Sequence, residues 1–273
     1  MPLHADRTVL SAADHRYFRT LCQLLLSAER QRSVASINWV VVDLGLVEAD
    51  RARLAARFPW ARVEPFAFDR HPPHLRRLAT CAWKPVVIDD ELQRGSGLVL
   101  WLDSATILRR PLGPIFDRIA REGVLTLVGQ SPVRRWCHEA TLRFMRVTAD
   151  DADRRCRAGG VLGFDGARPP VRALVADWRA WALIEACIDP PGSTRANHRY
   201  DQAVLSNLLH PFAREHGFEL GGEEIDIGSI APARWVSTRN AVAPWIPLAL
   251  DPAVRLSFAV YKAVDRAILK ARR

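Results

Sequence analysis

Asp103 closes the run Leu98-Val-Leu-Trp-Leu-Asp103, in which five apolar residues precede a carboxylate. Such a run reads as a strand covered on both faces of a largely parallel sheet. The carboxyl ends of strands in open α/β sheets are where ligands bind. A carboxylate there costs free energy unless a cation, a hydroxyl or a backbone donor meets it; a turn or cap role is the plainer alternative. Lys84 lies just upstream, in Cys81-Ala-Trp-Lys84-Pro85, and lysine otherwise stands only at 262 and 270 in a chain that uses arginine for its positive charge. An ammonium suits a diphosphate as a point charge, against the alternative of a solvated surface lysine. Ser11-Ala-Ala-Asp14-His-Arg-Tyr17 puts an acid and an aromatic at a strand-to-helix turn. Tyr17 can stack on a base, and Asp14 can accept from a base or ribose or simply cap the helix. Gly159 and Gly160 allow close approach of backbone to a ligand. His198, Arg199, Asp201 and Gln202 open a helix whose free N–H groups and polar side chains can meet a sugar or a phosphate.

The elements that must position these groups alternate. Thr8–Ser11, Ile37–Val42 and Val63–Phe68 read as strands, the last near a sheet edge because of Pro65. Tyr17–Arg30 carries Phe18, Leu21, Leu24, Leu25 and Ala28 at helical spacing. Glu48–Arg57 is a short charged helix, and a helix from Leu75 through Trp83 continues past Pro85 to Leu92. After the Asp103 strand come a helix over Pro114–Arg121 and a strand over Val124–Val128. The pattern weakens from Gly129 to Cys156, and Ala149–Arg155 reads as a solvated loop or cap. Gly159–Asp165 is a strand opened by a diglycine, Val171–Cys187 a long amphipathic helix, 189–197 a loop, and His198–Leu209 a helix. Such β-α-β alternation predicts an α/β fold with a mixed, mostly parallel sheet flanked by helices.

The 273 residues suffice for one large α/β domain, and a hydrophobic share of 49% is ordinary for a globular chain. No apolar run approaches the ~20 residues of a membrane helix, and the first residues lack the apolar core of a signal peptide. These signals predict a cytoplasmic protein. The five cysteines, at 22, 81, 137, 156 and 187, include no C-x-x-C pair and are odd in number, which predicts reduced thiols. The net charge of +9 admits nucleic acid, anionic lipid or a phosphorylated ligand. The arginines are scattered, and no aromatic RNA-binding box or zinc-finger spacing accompanies them, so no nucleic-acid partner is expected. There is no P-loop and no G-x-G-x-x-G after the first strand. Gly129-Gln-Ser-Pro-Val133 fails the nucleophile-elbow pattern at its last position, and His138-Glu-Ala-Thr-Leu142 lacks the second histidine of a zinc protease helix.

From Leu78 to Pro111 the order is helix, Trp-Lys-Pro, acidic turn, apolar strand, Trp-Leu-Asp, then an apolar run to Arg-Pro-Leu112. Gly159-Gly-Val-Leu-Gly-Phe and Tyr200-Asp-Gln-Ala-Val-Leu-Ser-Asn207 follow. Over about residues 7–230 this order resembles the GT-A nucleotide-diphospho-sugar transferases, especially the glycogenin and lipopolysaccharide-galactosyltransferase group (glycosyltransferase family 8-like), and an uncharacterised family related to them. The resemblance implies a GT-A sheet and transfer of a sugar, a hexose in that group, from a nucleotide-diphospho donor to a hydroxyl of a glycan or small acceptor. It implies that Asp14 and Tyr17 lie near base and ribose, and Lys84 near the diphosphate. Asp103 would be the first acid of a D-x-D motif with Ser104 beside it, Gly159 and Gly160 would lie beside the sugar, and Asp201 and Gln202 on its hydroxyls. Asp103, Asp201 and Lys84 are then the expected catalytic residues. Trp136, His138, His198 and Arg199 are candidate acceptor contacts, with the stretch from Ser131 to Arg157 shaping the acceptor pocket.

The motif reads Asp103-Ser104-Ala105, so the second acid is missing, and no histidine follows His216. The resemblance implies a divalent cation, Mn²⁺ or Mg²⁺, between the carboxylates and the diphosphate. One carboxylate is a poor start for a hard cation, so Asp103 is expected to hold a metal weakly or not at all: either binding is weak and substrate-assisted, or arginines replace the metal, or the site is degenerate. A nucleotide-sugar-binding relative without activity, and a basic membrane- or nucleic-acid-binding module, remain as alternatives.

The transferase-like region is expected over 1–230, with a proline-punctuated connector and a C-terminal helical extension over 231–273. There Asp251 caps a helix with Pro252 at its first position. Val254, Phe258, Tyr261, Val264 and Ile268 share one face, flanked by Arg255, Lys262, Arg266, Lys270, Arg272 and Arg273. That pattern suits either an anionic membrane surface on the inner face, with a lipid-linked acceptor, or docking back onto the domain.

Overall fold

The computed structural model describes residues 7–221 and 236–237. Of the expected extension at 231–273 only Val236 and Ser237 are among these residues, and its amphipathic helix lies outside them. In chain order the elements are β1 (Arg7–Ala13), α1 (Phe18–Arg30), β2 (Asn38–Asp43), α2 (Glu48–Arg57), β3 (Ala61–Pro65), α3 (Trp83–Gln93), β4 (Leu98–Leu102), β5 (Ile107–Leu108) and α4 (Gly113–Glu122). Then follow β6 (Val124–Pro132), α5 (Val133–Trp136), α6 (Glu139–Phe144), α7 (Ala149–Asp153), β7 (Arg155–Asp165), α8 (Pro169–Ala182), α9 (Glu185–Ile188), α10 (Asp201–His216) and β8 (Val236–Ser237).

Six strands form one sheet in the order β3-β2-β1-β4-β7-β6, and β5 pairs with β8 apart from it. β3, β2, β1 and β4 are mutually parallel, while β7 is antiparallel to both β4 and β6. The sheet is therefore mixed and mostly parallel, with β7 alone reversed, and Pro65 stands in an edge strand as expected. The chain leaves β1 to one side for β2 and later returns to its other side for β4. That reversal opens a crevice at the carboxyl ends of β1 and β4, the place where open α/β sheets receive ligands.

Alternation along the strands sorts the core into two layers. Leu10, Val99 and Trp101 face α3, α8 and α10, packing with Val86, Ile88, Trp178 and Leu205. Val9, Leu100 and Leu102 face α1 and α4, packing with Leu24, Leu25 and Phe116. By the same alternation Asp103 follows Val99 and Trp101 towards α3, which carries Lys84.

β7 has no room for a side chain at Gly163: a Cβ there would lie 2.5 Å from Ile119 Cδ1 and 3.1 Å from Leu125 Cβ. Gly163→Ala is expected to cost about 1–3 kcal/mol through overpacking. Its urea midpoint should fall, and an unchanged midpoint would contradict this account of the layer.

Several expected elements differ. The Leu75–Trp83 segment forms two short 3-10 turns, Pro73–Arg76 and Leu78–Thr80, and α3 starts at Trp83. Pro85 lies in the first turn of α3, where its missing N–H breaks no helical bond. The long helix stops at Ala182 and α9 is separate. The 149–155 stretch is not a solvated loop: Thr148 caps α7, and Asp151 is buried with the Arg214 guanidinium 3.0 Å from its Oδ1. The weak Gly129–Cys156 region holds α5 and α6, both too short for periodicity to show. Arg157 crosses from β7 to donate to Thr126 Oγ1 (2.8 Å) and to the carbonyls of Leu220 (2.9 Å) and Gly221 (2.6 Å), pinning the segment after α10 to the sheet.

Candidate functional site

Lys84 is the centre of the site. The first turn of α3 points its side chain at the end of β4 and the middle of β7, where it is 3% exposed. Its Nζ lies 2.9 Å from Asp201 Oδ2 and 3.3 Å from Asp103 Oδ1, and donates to the carbonyl of Gly159 at 3.1 Å. The ammonium also sits 5.2 Å from the Trp101 ring centroid, within cation–π range. Burial works against its charge, and the carboxylates of Asp103 and Asp201 outweigh burial, so Lys84 is held charged well above the usual lysine range. Burial pushes the Asp201 carboxyl up, with Lys84 opposing it.

Backbone and ring contacts fix Asp103. Its N–H donates to the carbonyl of Gly160 at 2.9 Å, and Trp101 Nε1 donates to its Oδ1 at 2.8 Å. The side chain is 45% exposed and faces the crevice. A Cβ on Gly160 would lie 3.3 Å from Asp103 Oδ2, and one on Gly159 would lie 3.3 Å from Asp201 Oδ2. The diglycine thus lets β7 pass close to both acids.

Two cavities meet at this centre. The larger, about 660 Å³, opens at the carboxyl ends of β1 and β4, with Asp14, Arg16, Tyr17, Ser104 and Ala105 among its walls. The smaller, about 230 Å³, lies over β7 and the start of α10, with Gly159, Gly160, Arg199, Asp201 and Gln202 among its walls. Ala79, Cys81, Lys84, Asp103 and Arg195 line both. Cys81 and Tyr200 hold positive φ values of 53° and 47°. Such sparsely populated backbone in non-glycine residues clusters at functional sites. Burial pushes the Cys81 thiol up to about 12, with Asp201 adding to the effect, so it is a neutral wall rather than a nucleophile.

Every expected donor-side residue reaches these cavities. Asp14 takes the cap role, its Oδ1 accepting from Tyr17 N at 3.1 Å, and it also lines the larger cavity. Lys84 is not the solvated lysine of the alternative reading. Of the four acceptor candidates, only Arg199 lines a cavity. Trp136 lies under the guanidinium groups of Arg135 and Arg199, whose Cζ atoms are 4.4 and 4.2 Å from its ring centroid. His138 caps α6, accepting from Ala140 N. His198 is wholly buried: its Nδ1 accepts from His138 N at 3.0 Å, and its Nε2 lies 3.0 Å from the carbonyl of Ile188. It ties down the loop rather than facing a ligand. No residue of the stretch from Ser131 to Arg157 lines either cavity. Sequence reasoning missed Arg195, Tyr200 and Arg16 as wall residues. Arg195 sits in the 189–197 loop, where neither periodicity nor spacing marks it.

The described residues do not fit a divalent cation: among them no group of three His, Cys, Asp or Glu side chains that could hold a metal ion is found. Asp103 and Asp201 do converge, but on the Lys84 ammonium, and Ala105 offers no oxygen side chain. A hard cation needs several oxygen ligands.

Neither a family model nor a curated protein sequence matches the chain. Among solved structures, the galactosyltransferase LgtC in complex with donor and acceptor sugar analogues aligns at 21% identity and a TM-score of 0.44, over 74% of this chain and 70% of its own. Mouse xyloside xylosyltransferase 1 aligns at 12% identity and a TM-score of 0.49, over 80% and 85%. The bifunctional glycosyltransferase WbbM aligns at 13% and 0.48, over 77% of this chain and 38% of its own. The mixed sheet rests on its own strand order and register, and the chemistry on the site.

Proposed function

We propose that this chain is a glycosyltransferase that moves a sugar from a nucleotide-diphospho-sugar donor to a hydroxyl of a glycan or small acceptor. The observation that carries this reading is the Lys84 ammonium at the junction of two cavities, with Asp14 and Tyr17 on the wall of the larger and Asp201 and Gln202 on the wall of the smaller. Tyr17 and Asp14 meet the base and ribose, Lys84 the diphosphate, and Asp201 and Gln202 the sugar hydroxyls. A bond forms between the acceptor hydroxyl oxygen and the anomeric carbon, the bond from that carbon to the diphosphate oxygen breaks, the nucleoside diphosphate leaves, and the hydroxyl proton passes to the departing diphosphate. The side chains supply charge neutralisation and alignment. Arg199, on the wall of the smaller cavity, is the acceptor-side contact in this reading, and the transferred sugar, a hexose, is assigned to that cavity.

A nucleotide-sugar binder without turnover is the second reading, favoured by Ala105 where a second acid would stand. Among the described residues no helix is long and apolar enough to cross a membrane; the inner-face surface reading rests on 252–273, outside them.

A thermal-shift screen of nucleotide sugars tests the proposal, because ligand that binds only folded protein raises its melting temperature by mass action. Asp103→Asn keeps an acceptor for Trp101 Nε1 and removes the charge. It should melt close to the wild type, with the donor-induced shift largely lost. Binding without transfer to any acceptor would favour the second reading, and no response to any nucleotide sugar would overturn both.

A further inference from the structure

We infer that the Lys84 ammonium stands in the place of the divalent cation that the resemblance implies, so that the cleft takes a nucleoside diphosphate without metal. The inference deepens the donor reading above and rests on it for the identity of the ligand. Its ground is the position of one atom. Lys84 Nζ lies 2.9 Å from Asp201 Oδ2 and 3.3 Å from Asp103 Oδ1, between the two carboxylates that converge at the junction. A metal at Asp103 would share that carboxylate with a fixed ammonium, and two cations on one carboxylate repel. The next positions, Ser104 and Ala105, add one hydroxyl and no charge.

The walls carry what a metal would otherwise supply. Arg16 and Arg195 line the larger cavity, and Arg195 and Arg199 the smaller, so with Lys84 four cations face Asp14, Asp103 and Asp201 along the cleft. Arg195 lies at the junction itself and lines both sides. Its guanidinium donates to the carbonyl of Ala79 at 3.3 Å, which holds it beside the Cys81 turn. Lysine and arginine together can neutralise a diphosphate as point charge and as planar fork. Burial of Lys84 keeps this charge fixed in place before the ligand arrives, which is the arrangement that electrostatic stabilisation needs.

Two measurements decide it. The first titrates the wild-type protein with UDP, GDP and CDP by calorimetry, once in chelator and once in millimolar Mn²⁺. The expected result is the same affinity in both, with a roughly tenfold loss in Lys84→Met that Mn²⁺ does not alter. Arg195→Ala, exposed enough to leave the fold intact, should lose a similar factor and serves if Lys84→Met does not fold. Binding that vanishes in chelator and returns with Mn²⁺ overturns the inference while leaving the donor reading standing. The second measurement titrates nucleotide-free protein with Mn²⁺ and follows free Mn²⁺ by electron paramagnetic resonance. No site of micromolar affinity is expected; such a site, lost in Asp103→Asn, overturns the inference. If none of the three nucleotides binds under either condition, the donor reading fails and the inference fails with it.

Discussion

Lys84→Met is expected to cost about 3–5 kcal/mol of stability, the range for removing one partner of a buried ion pair. Methionine can fill the space of the lysine stem, but it leaves Asp201, 6% exposed, without its cation. Asp103 keeps the Trp101 indole as a donor, and half of its side chain already reaches solvent, so most of the loss falls on Asp201. Urea unfolding of variant and wild type at the same pH measures the deficit. Adding Asp201→Asn should recover most of it, because the uncompensated charge is gone. The sign with pH also follows. Without Lys84, burial and the neighbouring Asp103 charge raise the folded pKa of Asp201, so the charged carboxyl penalises folding at neutral pH, and the penalty shrinks as pH falls through that raised value. A deficit under about 1 kcal/mol, the scale of exposed pairs, would show that the pair is solvated in solution.

Acidification is expected to weaken the protein through His198, and to weaken the cleft with it. The two hydrogen bonds settle the tautomer: a backbone N–H can only donate to Nδ1 and a carbonyl can only accept from Nε2, so the ring is neutral. Burial holds its pKa down to about 4 from 6.5. The folded state therefore refuses a proton that the unfolded chain accepts. Stability is full above pH 6.5 and falls as pH drops towards 4, by about 3 kcal/mol for a shift of this size. Burial pushes His210 down as well, and it acts with the same sign. His198 closes the loop that brings Arg195 and Arg199 to the cleft, so donor affinity should fall over the same range. Unfolding free energies at about pH 7 and about pH 4 give the slope. In His198→Gln the slope should flatten to what His71, His210, Glu29 and Asp151 leave; equal slopes in variant and wild type would remove His198 from the account.

Much of the frame was legible in the chain because it repeats. Apolar runs at 38–43 and 98–102, helical spacing from Phe18 to Ala28, and Pro65 at an edge each state a local rule that the tertiary structure keeps. Asp14, Lys84, Asp103, the diglycine and Asp201 were legible as a set, because acids, a rare lysine and glycines stood at strand and helix ends. Short elements such as α5 and α6 were not, since four to six residues give no period to read.

What only the tertiary structure decided is which of these groups touch. Lys84 and Asp201 are 117 positions apart, and nothing local says that an ammonium will lie between two carboxylates rather than in water. That outcome depends on α3 and α10 packing on the same face of the sheet, and on β7 running backwards so that its glycines pass beside β4. The same holds for the candidates that moved away from the cleft. His198 has the residue type of a ligand contact, but its neighbours turn both ring nitrogens to backbone partners, while Arg195, unremarkable in its loop, is carried to the junction. Residue type and spacing set which strands and helices form and what chemistry is available. Burial and long-range packing set the charge each group keeps and the partner it meets.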